Sequence, residues 1–499
     1  MNNKHTLAAK SLIKNNPLFF FGVSALIGCI LLNFGIFRDY AFTDSYEFIW
    51  LADVSPIFQH EFIRGGRPLY GLLNQFTFGT LCDSISSLKW IRFIGLLGSV
   101  LFSIQIFKFL LKLKLKPFES ALFSFLMLSI PSFTIFIGWS ATYQIPWSLS
   151  ISFFAGLILM KALEDKKINI LKCLIALALV IISLSLYQSA GTAFLIPFIF
   201  TAVVSNQFEK RTLIQLLVFL GISLILYFIV FKINLYYLKV EALGRSQLNI
   251  IKFPFRYLLF YVRELKTILK VSGIILGSHL FLIIGYITFI GFFVKQKIAN
   301  KNYFVIFFLL FVLPLSYLPN LVADQVWKCS RTVAPAAISV LFYQFYFLKQ
   351  LSQSNKVIKY VSLLLAISVL TVGFINQNMY ISDIQHREYK ALRKAFEKIP
   401  LDNTKNIIFI IPNPDFLKEN GYYSDYYSDE FIRISSSKEW ASSPLLNQIQ
   451  KEKSKLNSIQ KSYVPNHSYE VRTINDPAIN TNNSIIINLN ELLKKEFSK

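Results

Sequence analysis

Charge is scarce in this chain. Asp, Glu, Lys and Arg make up 16% of its 499 residues, where soluble globular proteins carry about 25%. With 54% hydrophobic residues and a mean hydropathy of +0.49, that scarcity excludes an ordinary soluble domain and predicts an integral membrane protein. Cysteine is scarce too. The four thiols form no CxxC pair and no Cys/His cluster, which argues against structural zinc. Cys29 and Cys173 fall within apolar runs as packing residues, whereas Cys82 and Cys329 fall on the expected outer side, leaving a disulfide between them open. Acids are the scarcer sign, 28 against 51 Lys and Arg, for a formal net charge of +23. The basic residues concentrate in short loops between apolar runs, so the excess reads as the positive-inside pattern and no nucleic-acid partner is expected. No Walker sequence, no Gly-x-Gly-x-x-Gly in a strand–helix setting and no DxD-bearing nucleotide-sugar domain is present.

What the chain has instead is about eleven apolar runs of bilayer length, near residues 17–37, 90–111, 118–137, 145–161, 168–187, 190–205, 213–231, 273–294, 303–322, 333–348 and 357–376. Basic clusters at Lys108/Lys112/Lys114/Lys116, Lys166/Lys167, Lys210/Arg211, Lys295/Lys297/Lys301 and Lys349/Lys356/Lys359 fall on the side of the N-terminus, which the positive-inside rule makes cytoplasmic. The first run follows Lys4, Lys10 and Lys14 and lacks a small-residue cleavage site, so it reads as an uncleaved anchor. The expected fold is therefore an all-α polytopic membrane protein over residues 1–376, with a small α/β domain over 377–499 on the outer side. Two strand-like runs, 406–411 and 484–489, flank a Tyr-rich acidic stretch at 422–430 and a Lys-rich, helical-looking segment at 451–461.

Two outer loops are long. The first, residues 38–89, holds Asp39, Asp44, Glu47, Asp53, Glu61 and Asp83, with Arg64-Gly65-Gly66-Arg67-Pro68 among them. Its stretch 69–81 is apolar but short, and is expected as a helix lying in the interface. The second, residues 232–272, carries Lys252, Arg256, Arg263 and Lys270 at helical spacings of four, seven and seven. These predict an amphipathic surface helix with a basic stripe, opposed by Leu258, Leu259, Val262, Leu265 and Leu269.

Charged groups at a membrane boundary normally line water or meet a polar ligand. Transfer of a sugar to a hydroxyl needs a carboxylate to take the acceptor proton. Asp44, set between Thr43 and Tyr46, is the leading candidate, with Glu47 about one helical turn away and Asp39 nearer the membrane. The alternative is that these acids only solvate the loop. A lipid-linked phosphate would need cations at headgroup level, and Arg67, Arg256, Arg263 and Arg331 are placed for it; general attraction to membrane lipid is the competing reading for the stripe. Tyr187 and Gln188 lie in a tight outer turn where they either reach a substrate or satisfy helix ends. Trp139, Tyr143 and Trp147 read as an interfacial belt.

The order Phe42-Thr43-Asp44-Ser45-Tyr46, then Gly66-Arg67-Pro68-Leu69 about twenty residues on, then Leu184-Ser185-Leu186-Tyr187-Gln188-Ser189, resembles the Gtr-type glucosyltransferases that modify O-antigen and cause serotype conversion. The resemblance covers roughly residues 15–376 and leaves the tail out. It implies a GT-C type enzyme at the periplasmic face of the bacterial inner membrane, with undecaprenyl-phosphate-glucose as donor and lipid-linked O-antigen as acceptor. It maps the family's loop acids onto Asp44 and its Gly-Arg pair onto Gly66 and Arg67. Many relatives have two adjacent acids where this chain has Thr43-Asp44, so the partner role falls open to Glu47. No cofactor or metal is expected, since such a donor has no diphosphate leaving group. Two other functions compete: an O-antigen polymerase, which would put paired basic residues in two large outer loops, and a flippase or transporter of lipid-linked sugar, which would show mid-bilayer charges and a repeat.

Overall fold

The computed structural model describes residues 16–55, 58–164, 168–271, 279–300, 302–399, 406–422, 430–456, 469–473 and 484–497. Each of the eleven apolar runs is helical along most of its described length, for example Pro17–Leu32, Leu88–Lys112, Gln144–Leu163, Ile170–Leu186 and Lys210–Leu238. Four helices among the described residues are long and apolar enough to cross a membrane: Ile85–Lys112, Ser140–Leu163, Lys210–Leu238 and Lys356–Phe396. The pair Pro117–Met127 and Pro131–Gly138 makes a fifth if its 60° bend is counted as one broken span. Proline explains the break, since Pro131 has no N–H to continue the ladder. Other runs are shorter than expected: Tyr303–Leu315 has 13 residues, about 20 Å of helix, before a break and the turn Leu318–Val322.

The stretch 69–81 is a helix, Pro68–Leu81, with Leu72, Leu73, Phe76 and Leu81 exposed along one side. The basic outer helix is not continuous. A π-helical turn, Phe260–Glu264, separates Phe253–Leu259 from Leu265–Val271, and the extra residue in that turn rotates the two halves out of one stripe. Leu265 and Leu269 are buried as expected, but Leu258 and Val262 are exposed. All four cysteines are free, so the Cys82–Cys329 disulfide does not form.

In the C-terminal part, β1 (Asn406–Ile411), β2 (Tyr469–Thr473) and β3 (Ser484–Asn488) form a parallel sheet in the order β2-β1-β3. The apolar β1 is the central strand, as its burial requires. β2, Tyr-Glu-Val-Arg-Thr, is not one of the two expected strands: its alternation is strand-like but only five residues long. Most of the Tyr-rich stretch 422–430 and the end of 451–461 lie outside the described residues; the helix Ser442–Leu456 covers the rest of the latter. The C-terminal part does not pack apart from the first loop. Phe42, Tyr46, Phe48, Phe62 and Tyr70 of the loop share one hydrophobic core with Ile407, Phe409, Leu446 and Phe497.

The entry to that loop is held by one side chain. Arg92, fully buried, donates to the carbonyls of Ile36, Arg38 and Tyr40 at 2.7–2.8 Å and stacks on the Tyr40 ring at 3.7 Å. Close by, Gly35 approaches Ser382 so tightly that a Cβ would sit 2.7 Å from it. Its N–H donates to Asn378 Oδ1, and Asn378 Nδ2 donates to Leu32 O. The first apolar helix is thus clamped to the long last one. Replacing Arg92 by Leu strands the buried carbonyls of Ile36 and Tyr40 and the part-buried one of Arg38, and a buried one costs about 1–3 kcal/mol when unsatisfied. Lower thermal stability and faster hydrogen exchange over residues 36–43 are expected; unchanged exchange there would refute the clamp.

Candidate functional site

Asp44 opens the helix Asp44–Val54, and the residue before it is strained. Thr43 has φ +40°, which a β-branched residue rarely adopts, and its N–H donates to Ser435 Oγ at 2.8 Å. Backbone pairing between loops brings the cations to it. Leu243 N donates to Arg64 O at 3.0 Å, and Ser246 Oγ donates to the same carbonyl, which sets Arg245 beside the Gly65-Gly66-Arg67 turn. Asn249 N donates to Val322 O and Asp324 N to Gln247 O, so the second long loop carries the segment 322–331 alongside. Tyr227 OH and Gln188 Nε2 both donate to Gly66 O. Gly66 has φ +77°, and a Cβ there would meet Gln188 Nε2 at 2.4 Å. Glycine is required twice over.

The result is a cavity of about 470 Å³ with two kinds of wall. Leu224, Ile225, Phe228, Ile229 and Phe231 of the helix Lys210–Leu238 give an apolar side, while Arg67, Arg245, Arg331, Gln188 and Gln325 give a polar end. The guanidiniums are held by stacking: Arg67 lies 5.0 Å from the Tyr70 ring, Arg245 5.2 Å from Trp327, and Arg331 4.3 Å from Trp139. Arg331 also donates from Nε to Glu430 Oε1 at 2.7 Å, and Glu430 is fully buried. Trp139 and Tyr143 are buried inside the protein, so they are not belt residues. Thr43 Oγ1, Trp139 Nε1 and Ser330 Oγ, all buried around this end, have no hydrogen-bond partner among the described residues.

Asp44 does not line the cavity wall, but it feels the three guanidiniums. Burial pushes its carboxyl above the usual carboxylate range, and Arg331, an indole N–H from Trp440, Arg245 and Arg67 partly counter that. Burial, then the charges of Asp44 and Glu61, push Glu47 up to about 7. Arg245 is pulled below its ordinary value by burial and by the like charges of Arg67 and Arg331. Three cations crowd one end of the cavity, and an anion there would relieve them.

Of the sequence candidates, Asp44, Glu47, Arg67, Tyr187, Gln188 and Arg331 come together. Asp39 does not: its carbonyl meets His386 Nδ1 at 2.8 Å, away from the cavity. Arg256 is turned elsewhere, capping a helix end through the carbonyls of Leu321, Ala323 and Asp324. Arg263 is exposed beside a smaller cavity shared with Glu264 and Lys328. The basic stripe therefore supplies nothing to the main cavity. Arg245, Trp327, Glu430 and Trp440 are not among the sequence candidates, and the only signal for Arg245 is that it is one basic residue of a basic loop. Comparison with protein families, with curated proteins and with solved structures returned no match.

Gly66→Ala should lower the melting midpoint by more than Gly421→Ala. Gly421 also has a positive φ, +85°, but has open space around its Cβ position. Equal shifts would mean that strain alone, and not the Gln188 and Tyr227 contacts, requires glycine at position 66.

Proposed function

We propose that this chain is a glycosyltransferase of GT-C type, moving a hexose from a polyprenyl-phosphate sugar to a lipid-linked glycan. The single observation that supports it best is the cavity, apolar along a membrane-length helix and ringed at one end by Arg67, Arg245 and Arg331 beside Asp44. A prenyl chain suits the first wall and the phosphodiester that joins it to the sugar suits the second. The resemblance to O-antigen glucosyltransferases supplies the finer reading: glucose from undecaprenyl-phosphate-glucose, lipid-linked O-antigen as acceptor, and the periplasmic face of the inner membrane.

In this reading Asp44 accepts the proton of the acceptor hydroxyl as that oxygen bonds the sugar's anomeric carbon. The bond from that carbon to the phosphate oxygen breaks, and the electron pair leaves with the polyprenyl phosphate. The guanidiniums hold the phosphate and stabilise its gain of charge. Glu47, its carboxyl pushed up to about 7 by burial and by the charges of Asp44 and Glu61, stands one helical turn from Asp44.

Eleven spans with a cytoplasmic N-terminus and a periplasmic tail belong to the same reading. Loop contacts support the alternation. Loops expected outside touch one another, 64 with 243, 248 with 323, and 331 with 430. Loops expected inside do the same: Lys349 pairs with Glu119 at 3.2 Å, and Asn302 Nδ2 donates to Asn206 O.

Asp44→Asn keeps the shape of the side chain but cannot take a proton, so transfer should fall by at least about 10². Binding of undecaprenyl phosphate should persist, and Glu47→Gln should cost less. Near-full transfer by Asp44→Asn would remove the main support for the enzyme reading.

Only the ionised carboxylate accepts a proton, so the rate should rise with pH through a midpoint above the ordinary carboxylate value. Arg245 lowers the Asp44 value; Arg245→Gln should therefore move that midpoint to higher pH. A midpoint that stays put or moves down would show that Asp44 does not set the acid limb.

A further inference from the structure

The hydrogen-bond donor to the Asp44 carboxylate among the described residues lies outside the donor cavity. Trp440 donates its indole N–H to Asp44 Oδ1 at 3.3 Å, across 396 residues of sequence, and does not line the cavity. The residue is 45% exposed, with Lys438 Nζ 5.2 Å from the ring centroid. That exposure is not the result of a loose segment. The N–H groups of Ser435 and Ser436 donate to the buried carboxyl of Glu388 at 2.9 and 2.7 Å. Ser435 Oγ takes the Thr43 N–H and donates to Gln385 Oε1. The buried side chains of Phe431, Ile434, Ala441 and Leu445 anchor the same stretch from below.

An indole held by its N–H on a firm base, part of its surface exposed and an ammonium over the ring, is a stacking platform. Pyranose rings present C–H-rich faces to such a surface and hydroxyls around the rim. The Lys438 ammonium, over the ring with its Nζ 5.2 Å from the centroid, is a donor group beside those hydroxyls. The shared hydrogen bond puts any sugar seated there next to the Asp44 carboxylate.

We propose that Trp440, with Lys438, is the platform on which a pyranose ring of the acceptor glycan stacks, so that the C-terminal part of the chain completes the acceptor side of the site. The proposal rests on the glycosyl-transfer reading for its acceptor, but its binding test does not need turnover. Asp44 then stands between a lipid phosphate held by the arginines and a glycan held by the tail. Acceptor choice resides in residues 430–442, outside the part of the chain that carries the family resemblance.

The test uses the purified full chain in detergent and an array of bacterial O-polysaccharides as probe, with undecaprenyl phosphate binding measured on the same preparations. The unaltered chain should retain at least one glycan. Trp440→Ala should weaken that binding at least about tenfold, as loss of a buried-on-binding Trp commonly does. Trp440→Phe, which keeps a ring but has no N–H, should stay within about threefold. Both variants should bind undecaprenyl phosphate as before. The proposal is overturned if Trp440→Ala binds glycan as well as the unaltered chain does. It is equally overturned if the Phe variant fails as badly as the Ala variant, if no glycan binds at all, or if Trp440→Ala loses the lipid too. Glycan binding that depends on Trp440 in a chain that binds no undecaprenyl phosphate would sink the donor-cavity reading and leave the platform standing.

Discussion

The buried guanidinium of Arg92 is the interaction on which the rest of the site depends. A chain leaving an apolar helix carries peptide groups that neither lipid nor a dry interior can satisfy. Here three alternate carbonyls, from Ile36, Arg38 and Tyr40, share one cation. That fixes where the loop begins, so Phe42 can pack on Trp139 with ring centroids 5.0 Å apart and Asp44 can open its helix at a set place. The charge itself is costly to bury, and the carbonyl dipoles offset that cost. The clamp between Gly35 and the long last helix serves the same end by a different means, close packing.

From that fixed entry, backbone pairing does the work of assembly. Three loops that sequence separates by roughly 180 and 80 residues are joined through peptide hydrogen bonds, reinforced by Arg256 on three carbonyls and by the Lys252–Asp324 and Lys328–Glu264 ion pairs. The guanidiniums of Arg67 and Arg245 have no ion-pair partner among the described residues and lie against aromatic rings. Arg331 differs, because Glu430 neutralises it and ties the tail to the cavity. A site with three cations and one full partner is electrostatically unbalanced as it stands. Such an imbalance costs stability, and a bound anion would offset it.

Much of the helical framework was legible in the sequence, since an apolar run of bilayer length is rarely anything but a helix bound for lipid. The breaks were harder to read: Pro131 and Pro314 were visible, yet a run-length reading counts straight through them. Asp44, Arg67 and Arg331 stood out because charged groups are rare here and each sits near an apolar boundary. Arg256 and Arg263 stood out for the same reason and misled, because spacing on a helix says nothing of a π-helical turn or of a nearby helix end wanting a cap. Glu430 and Trp440 could not be found this way. They reach the site from the far end of the chain, in a polar segment with no periodicity, and only the folded core brings them to Asp44.

That shared core also bears on how the acid can function. A carboxylate on a free loop would be solvated and hold an ordinary affinity for protons. Packing the loop against the tail buries Asp44 enough to raise that affinity, while the charges of Arg331, Arg245 and Arg67 partly counter it. The strained Thr43, pinned by Ser435, sets the direction of the side chain at a cost of about 1–3 kcal/mol. The tail is therefore more than an appendage to a membrane bundle. Without Ser435 the Thr43 peptide loses its partner, without Glu430 Arg331 is left as an unpaired buried cation, and without Trp440 the Asp44 carboxylate loses its only neutral donor among the described contacts.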